Sequence, residues 1–314
     1  MSRKSEDEIL LGGQAVIEGV MMRSSDLLAV AVRKQDGEIS IRKEDFVSFL
    51  KRYPVLKIPI LRGAVILIQS LVIGIRSLNY SAEIALAEEQ KKNGKEPSEG
   101  SGISAFALGA SVVFALVFGL ALFFFLPLFL TELLKKASSL LENSILFNLV
   151  DGIIRIVIFV IYIFSISLIK DIRKIFQYHG AEHKTVYAYE AGDELTVENV
   201  KKFSILHPRC GTSFLLFVMV VAILLFSFLP ADQPLYVKIW PRLALLPLIA
   251  GISYEVIRQS AKRRENKFFQ ALIWPGLFFQ RMTTAEPNDE QLAVAIEALK
   301  NVLPSSNRAE IVPS

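Results

Sequence analysis

Residues 103–130 read ISAFALGASVVFALVFGLALFFFLPLFL, a run of 28 residues without a charged side chain. A helix needs about 20 consecutive apolar residues to cross the hydrocarbon core of a bilayer. This run therefore predicts a transmembrane helix, and the rest of the chain is interpreted outward from it.

Three further apolar runs follow at residues 145–169, 213–229 and 240–257. The first contains Asp151 and Arg155, which lie four positions apart and can pair on one helix face. The last is the weakest, because two prolines, an arginine and a glutamate interrupt it. Together the four runs predict a polytopic α-helical membrane protein with about four transmembrane helices.

Composition supports a membrane protein and excludes several other classes. Of the 314 residues, 52% are hydrophobic and 21% are charged, and the mean hydropathy is +0.43. A disordered chain would be less apolar, and a disulfide scaffold would have more than one cysteine. The net charge of +4 is small for this length, so we expect the lipid bilayer as a partner and no nucleic acid.

The distribution of lysine and arginine predicts the orientation in the membrane. Fifteen of them precede residue 103, seven lie in the loop 170–212 and five follow the fourth run closely. The loops 131–144 and 230–239 carry two and one. Because positively charged loops stay in the cytoplasm, we expect a multi-pass protein of the cell membrane with cytoplasmic N- and C-termini. A reducing compartment also suits the single Cys210.

The sequence divides into three parts: a cytoplasmic N-terminal region (1–102), a membrane domain (103–257) and a cytoplasmic amphipathic tail (258–314). The N-terminal region is predicted to be a small α+β unit. Residues 27–32 and 38–41 have strand character, and Asp36-Gly37 between them is typical of a hairpin turn.

Amphipathic segments border the membrane domain on both sides. The apolar part of residues 55–75 is 13 residues long, too short to span, and predicts an interfacial or re-entrant helix followed by a flexible linker at 88–102. In the tail, residues 268–281 are aromatic and are expected to lie on the membrane. Residues 291–303 predict a short amphipathic helix.

The middle loop 170–212 concentrates the residues that could carry chemistry. All three histidines and the only cysteine lie there, in YHGAEHKT and LHPRCGTS. His179 and His183 are four apart, so on a helix both imidazoles can reach one metal ion. Glu182 lies between them, near enough to act as general base on a water molecule that the metal activates. This order inverts the familiar His-Glu-x-x-His zinc motif.

The remaining ligands and the role of the site stay open. His207 or Cys210 would complete a three-ligand catalytic site, whereas both together would close a structural one. Imidazole and thiolate ligands favour zinc, although another divalent metal is compatible. A structural polar network without metal is an equally weighted alternative. Gln14, Glu18 and Arg23 could line the site if the N-terminal region folds back onto it.

The sequence resembles a known family at these motifs. GGQAVIEGVMMR near the start, PILRG at 59–63, the two histidine motifs and the tail PGLFFQRMTTAEPNDEQLAVAI are similar to YqhQ-type bacterial membrane proteins. That family is a domain of unknown function labelled a predicted metal-dependent enzyme of the bacterial inner membrane. The resemblance implies a site formed by the following residues: His179, Glu182, His183, His207 and Cys210.

Two classes of function are compatible with the sequence. One is a metal-dependent, zinc-containing hydrolase at the cytoplasmic membrane face, which acts on a membrane-associated peptide or lipid. The other is a non-enzymatic membrane scaffold or assembly factor, in which the histidine and cysteine residues form a structural metal site or a hydrogen-bonded cluster. A transporter ranks third, because the runs contain few charged residues.

Overall fold

The structure is a computed structural model that describes residues 11–92, 105–207, 210–263 and 266–304. Within these residues the chain forms an N-terminal sheet followed by helices. The strands are β1 (Gly12–Val16), β2 (Gly19–Arg23), β3 (Leu27–Arg33) and β4 (Ile39–Asp45). The helices are α1 (Phe49–Arg52), α2 (Leu61–Lys92), α3 (Ala105–Leu120), α4 (Leu126–Ala137), α5 (Ser144–Ser167), α6 (Lys170–Ala191), α7 (Val197–Val200), α8 (Gly211–Phe226), α9 (Leu235–Lys262), α10 (Lys267–Thr283) and α11 (Asp289–Val302).

The four strands form an antiparallel sheet in the order β1-β2-β3-β4. The predicted hairpin is confirmed as β3 and β4, with Gly37 at a φ of 90° in the turn. A second hairpin, β1 and β2, pairs Gly12 with Arg23 and Val16 with Gly19. Of its two turn residues, Ile17 and Glu18, only Glu18 has a positive φ, at 50°.

The sheet is covered on both faces, because its side chains alternate between two helical layers. Ala15, Val20 and Met22 face α6 and α11, which close one hydrophobic core. Val16, Met21 and Val30 face the opposite way, toward the second half of α2. The tail helix α11 is therefore an integral part of the N-terminal unit. It begins with a capping box between Asn288 and Gln291.

Four helices are long and apolar enough to cross a membrane, judged by length and composition. The helices span Leu61–Lys92, Gly109–Ala137, Ser144–Ser167 and Leu235–Ser260. The predicted fold class is thus confirmed, as long apolar helices combined with an N-terminal β-sheet. Three of the four helices coincide with predicted spans.

Helix α2 corrects the prediction for residues 55–75. A 13-residue apolar segment was expected, but the helix continues for 32 residues to Lys92 and takes up the first part of the predicted linker. Residues 93–102 of that linker lie outside the described residues. The first turn of α2 packs on α9, where Arg62 pairs with Glu255. Further along, Ser81 accepts a hydrogen bond from the amide of Ile17 beside the sheet.

Helix α8, predicted as a span over 213–229, is only 16 residues long. It nevertheless packs against α5 and α9, and α4 packs against the same two helices. Gly152 of α5 makes the close approach to α8, because a Cβ atom there would lie 2.2 Å from Cγ1 of Ile223. Helices α4, α5, α8 and α9 therefore form a bundle, with α10 packed along α8.

This helix contact leads to a first prediction. Gly152→Ala forces a methyl group into Ile223, and overpacking of this kind destabilises a protein by about 1–3 kcal/mol. Gly109→Ala is the matched control, since it also lies in an apolar helix but a Cβ atom there meets nothing within 4 Å. Thermal unfolding in detergent should show a lower midpoint for the first variant only. Equal midpoints would contradict the packing of α8 against α5.

Candidate metal centre

Helix α6 carries three of the candidate residues on one face, as their spacing predicts. The rings of His179 and His183 lie one helical turn apart, with centroids separated by 4.4 Å. The opposite side of the same helix is buried against the sheet and α11, through residues such as Tyr178 and Ala188. Because that packing fixes the rotation of the helix, the two imidazoles must point away from the core.

Backbone carbonyl groups orient both imidazoles. The Nδ1 atom of His179 lies 2.9 Å from the carbonyl oxygen of Thr283, and Nδ1 of His183 lies 2.5 Å from that of Ile205. A carbonyl only accepts, so each Nδ1 must carry the proton and donate it. Each Nε2 atom then keeps its lone pair. Metal-ligating histidines are typically held in this way by their second nitrogen.

Gly180 explains how the carbonyl of Thr283 reaches its position. The chain after α10 crosses α6 closely, and the amide of Ala285 donates to the carbonyl oxygen of Phe176 over 2.9 Å. A Cβ atom at Gly180 would lie 2.2 Å from the carbonyl oxygen of Ala285. The glycine that weakens the helix intrinsically is thus required for the crossing.

Cys210 completes a group of three ligand atoms. Its Sγ atom lies 3.1 Å from Nε2 of His179. The ligand atoms of His179, His183 and Cys210 all lie within 4.8 Å of one another. Ligands of tetrahedral zinc, bound at about 2.0–2.3 Å, are separated by roughly 3.5 Å, so the group could hold such an ion with modest adjustment.

The cavity at this group has a volume of about 100 Å³ and is lined partly by backbone, at Gly12, Gly13 and Gly211. Imidazole and thiolate donors suit zinc, and the two oriented Nε2 atoms are ready to coordinate. The residues present therefore fit a metal ion of this class.

Glu182 lies beside the three ligand atoms. Its Oε2 atom is 3.9 Å from Nε2 of His179 and 3.8 Å from Nε2 of His183. The amide of Gly13 in β1 donates to this carboxylate, and a Cβ atom at Gly13 would lie 2.6 Å from Cγ of Glu182. Burial raises the pKa of Glu182 above that of an ordinary glutamate, although His179 and His207 lower it in part. Burial also lowers the pKa of His183, which favours its neutral form.

His207 lines the same cavity but does not join the group of three. Its backbone is fixed by the fully buried Gln280, which accepts from the His207 amide over 2.8 Å and donates to its carbonyl over 2.7 Å. The ring lies against Tyr187, with centroids 4.5 Å apart. Its Nε2 atom is 3.6 Å from Oε1 of Glu190. His207 thus lines the cavity while its ring contacts Tyr187 and Glu190.

The N-terminal region does fold back onto the centre, but Gly12 and Gly13 line the cavity and the three predicted residues do not. Gln14 lies on the other face of the sheet, where its side chain meets Gly74 of α2. Glu18 pairs with Lys174 across 2.8 Å at the first hairpin turn. Arg23 stacks on Phe46, with its guanidinium carbon 5.2 Å from the ring centroid. These three predicted candidates therefore lie apart from the ligand group.

Sequence reasoning missed the backbone groups that arrange the centre. Residue type does not reveal which backbone groups take part, here the carbonyl groups of Thr283 and Ile205 and the amide of Gly13. The exception is that the close approaches require glycine at positions 13 and 180. Gln280, buried in an otherwise aromatic segment, was the remaining available signal.

Comparison with known proteins identifies the family. The family described as a protein of unknown function (DUF1385) matches residues 58–305. The chain belongs to the DUF1385 family. A relative, the uncharacterised protein YqhQ of Bacillus subtilis (strain 168), is 37% identical over 296 residues, which cover 93% of this chain and 92% of the relative. No solved structure matches the chain.

The ligand group predicts that alanine substitutions of two buried histidines, His183 and His207, affect zinc binding differently. His183→Ala should abolish stoichiometric zinc binding, because it removes one of three ligands and binding energy is shared with folding. His207→Ala should retain zinc, because this residue lies outside the group. Elemental analysis of the two purified variants after zinc loading measures the difference. Loss of zinc in both, or in neither, would contradict the assigned ligand set.

The raised pKa of Glu182 predicts that, without metal, the difference in stability between the wild type and Glu182→Gln changes with pH. Burial in the folded protein raises the pKa of Glu182 above the reference value of 4.5. The protonated side chain therefore stabilises the folded state to the full extent at pH values below 4.5. The contribution is lost as the pH rises through the folded-state pKa. Compared with the wild type, Glu182→Gln should therefore become increasingly stable as the pH rises from about 4 toward 8. Thermal unfolding with a chelator present tests this, and a wild-type advantage that grows with pH would contradict it.

Proposed function

We propose that this chain is a zinc-dependent hydrolase at the cytoplasmic face of the cell membrane, with a membrane-associated peptide or lipid as substrate. The observation that supports the proposal most is the position of Glu182. Its carboxylate lies within 4 Å of the Nε2 atoms of His179 and His183, and it accepts a hydrogen bond from the backbone amide of Gly13 in β1. Three protein ligands and a neighbouring carboxylate are the parts that a catalytic zinc site requires.

Each residue then has a separate role. His179, His183 and Cys210 would hold the ion, and the carbonyl groups of Thr283 and Ile205 keep the imidazoles oriented. A bound zinc ion would supply Lewis acidity to the reacting group. Glu182 would accept a proton from the attacking water and return it to the leaving group. Burial raises the pKa of Glu182 above that of an ordinary glutamate, which is the direction that favours a general base at neutral pH.

A structural zinc site is the second candidate, and the same carboxylate favours it in a different way. If Glu182 coordinates the ion, the site has four protein ligands and no open position, which is typical of structural zinc. The chain would then be a membrane scaffold or assembly factor whose metal ties α6 to the start of α8. The two candidates differ in what the Glu182 side chain does.

The substitution Glu182→Gln separates these functions. A hydrolase variant should keep stoichiometric zinc and lose turnover, by roughly a factor of 100 or more for a lost general base. We would compare lipids and membrane peptides by mass spectrometry in cells with the wild-type chain, with Glu182→Gln or with none. A species that accumulates equally in the last two supports hydrolysis. Zinc loss in the variant, or a wild-type profile, would favour the structural site.

The orientation in the membrane is part of the proposal. The sheet, α6 and α11 would lie in the cytoplasm together with both termini. Although α2 is long enough to cross a membrane, its second half packs on the sheet, so it would run along the membrane surface instead. Exposed apolar side chains on α2, such as Ile68 and Leu71, suit an interfacial position. The connection before α5 would then face outward.

Single introduced cysteines test this orientation, because the native Cys210 is buried. Leu140→Cys, in the exposed connection between α4 and α5, should react with an impermeant thiol reagent added to intact cells. Ser25→Cys, in the exposed connection between β2 and β3, should react only after the cells are opened. The reverse pattern would refute the orientation.

A further inference from the structure

A second group of charged side chains lies at the end of the bundle farthest from the sheet. It is built from α4, α5 and α9, and its members are Glu132, Lys135, Asp151, Arg155, Lys238 and Arg242. Four of them are almost fully buried, with exposed fractions of 0% for Asp151, 6% for Arg155, 2% for Lys238 and 1% for Arg242. We call these six residues the bundle-end cluster.

If α5 enters the bilayer at its first residue, the bundle-end cluster begins close to the headgroup region. Asp151 is seven residues from the start of α5 at Ser144, a distance of about 10 Å along a helix. Charged groups at this depth are expensive and generally pair with one another or mark a functional site.

The charges in the cluster do not balance. Arg155 donates to Asp151 over 2.7 Å, and Lys238 pairs with Glu132. Arg242, in contrast, has only neutral acceptors among the described residues, namely Oδ1 of Asn148 at 2.5 Å and the carbonyl oxygen of Lys238 at 3.2 Å. Lys135 donates to the carbonyl oxygen of Ala231. Four cations and two carboxylates leave two positive charges in excess.

Three polar atoms of the cluster also remain without a hydrogen-bond partner among the described residues. They are Nε of Arg155, Nε of Arg242 and Oδ1 of Asp151. Both guanidinium carbons lie 5.3 Å from the ring centroid of Phe226, so the two donors belong to one neighbourhood. An unsatisfied buried donor or acceptor costs about 1–3 kcal/mol, more when it is charged. Two donors and one acceptor in one neighbourhood suit a ligand that offers both kinds of group.

We propose that the bundle-end cluster binds the headgroup of an anionic phospholipid that carries hydroxyl groups. The phosphodiester would accept from the two arginines and offset the excess charge, and a headgroup hydroxyl would donate to Asp151. The lipid would reach the cluster beside α4, where Glu132 retains 24% of its side-chain exposure and the neighbouring Leu133 and Leu134 are exposed apolar residues. This site is independent of the metal centre, which lies at the other end of the bundle.

The test measures lipid retained by the full chain. Purified protein in mixed micelles with equal amounts of phosphatidylglycerol and phosphatidylethanolamine is examined by native mass spectrometry. The wild type should retain phosphatidylglycerol selectively. Arg242→Gln should weaken that retention by roughly tenfold or more, as expected for a lost charge-assisted hydrogen bond. Lys136→Gln makes the same charge change at an exposed position of α4 and should have less than a twofold effect, as rim charges usually do.

Two further variants keep the test decisive if Arg242→Gln fails to fold. Lys135→Gln, at the half-buried edge of the cluster, should also weaken retention. Asp151→Asn raises the net positive charge and retains an acceptor oxygen, so it should strengthen retention. Equal retention of the two lipids by the wild type would overturn the proposal. Displacement of phosphatidylglycerol by millimolar inorganic phosphate would show that free phosphate is the ligand and would overturn the lipid assignment.

Discussion

Close backbone contact on two sides of α6 is the constraint on which the candidate metal centre depends. On one side β1 passes near enough for the amide of Gly13 to reach Glu182, and on the other side the chain at Ala285 crosses over Gly180. Neither approach tolerates a Cβ atom. The sheet and the tail are thereby fixed to the same helix, and the centre lies where they meet. A polar site assembled from backbone in this way is rigid, because backbone groups have few alternative positions.

The apolar periodicity and length of segments predicted much of this architecture. The runs that fall in α3 and α4, in α5 and in α9 are visible because lipid requires long apolar helices. The shared face of His179 and His183 follows from the helical repeat alone. In both cases the information is local, and the structure adds only the exact ends of the elements.

Other features depend on contacts between distant parts of the chain. The hairpin of β1 and β2 was missed because its glycines obscure the strand pattern. A Cβ atom at Gly13 would meet Glu182 of α6, and one at Gly19 would meet the carbonyl oxygen of Ala31 in β3. Helix α2 was predicted too short because its charged second half packs on the sheet instead of in lipid. The partner of the His179 imidazole is 104 positions away at Thr283, and no local pattern reports such a pair. The imbalance of the bundle-end cluster likewise became visible only when Arg242 of α9 was placed beside Asn148 of α5.

The position of Cys210 at the start of α8 has a consequence for the unfolded chain. His183 and Cys210 are 27 positions apart, so an ion bound to both acts as a cross-link that closes a loop of that size. For a covalent cross-link over a similar span, the reduction in the entropy of the unfolded chain is on the order of 3 kcal/mol. A reversible ion gives the same restraint only while it stays bound. If the centre holds an ion, the association of α6 with the start of α8 would thus vary with the concentration of free metal.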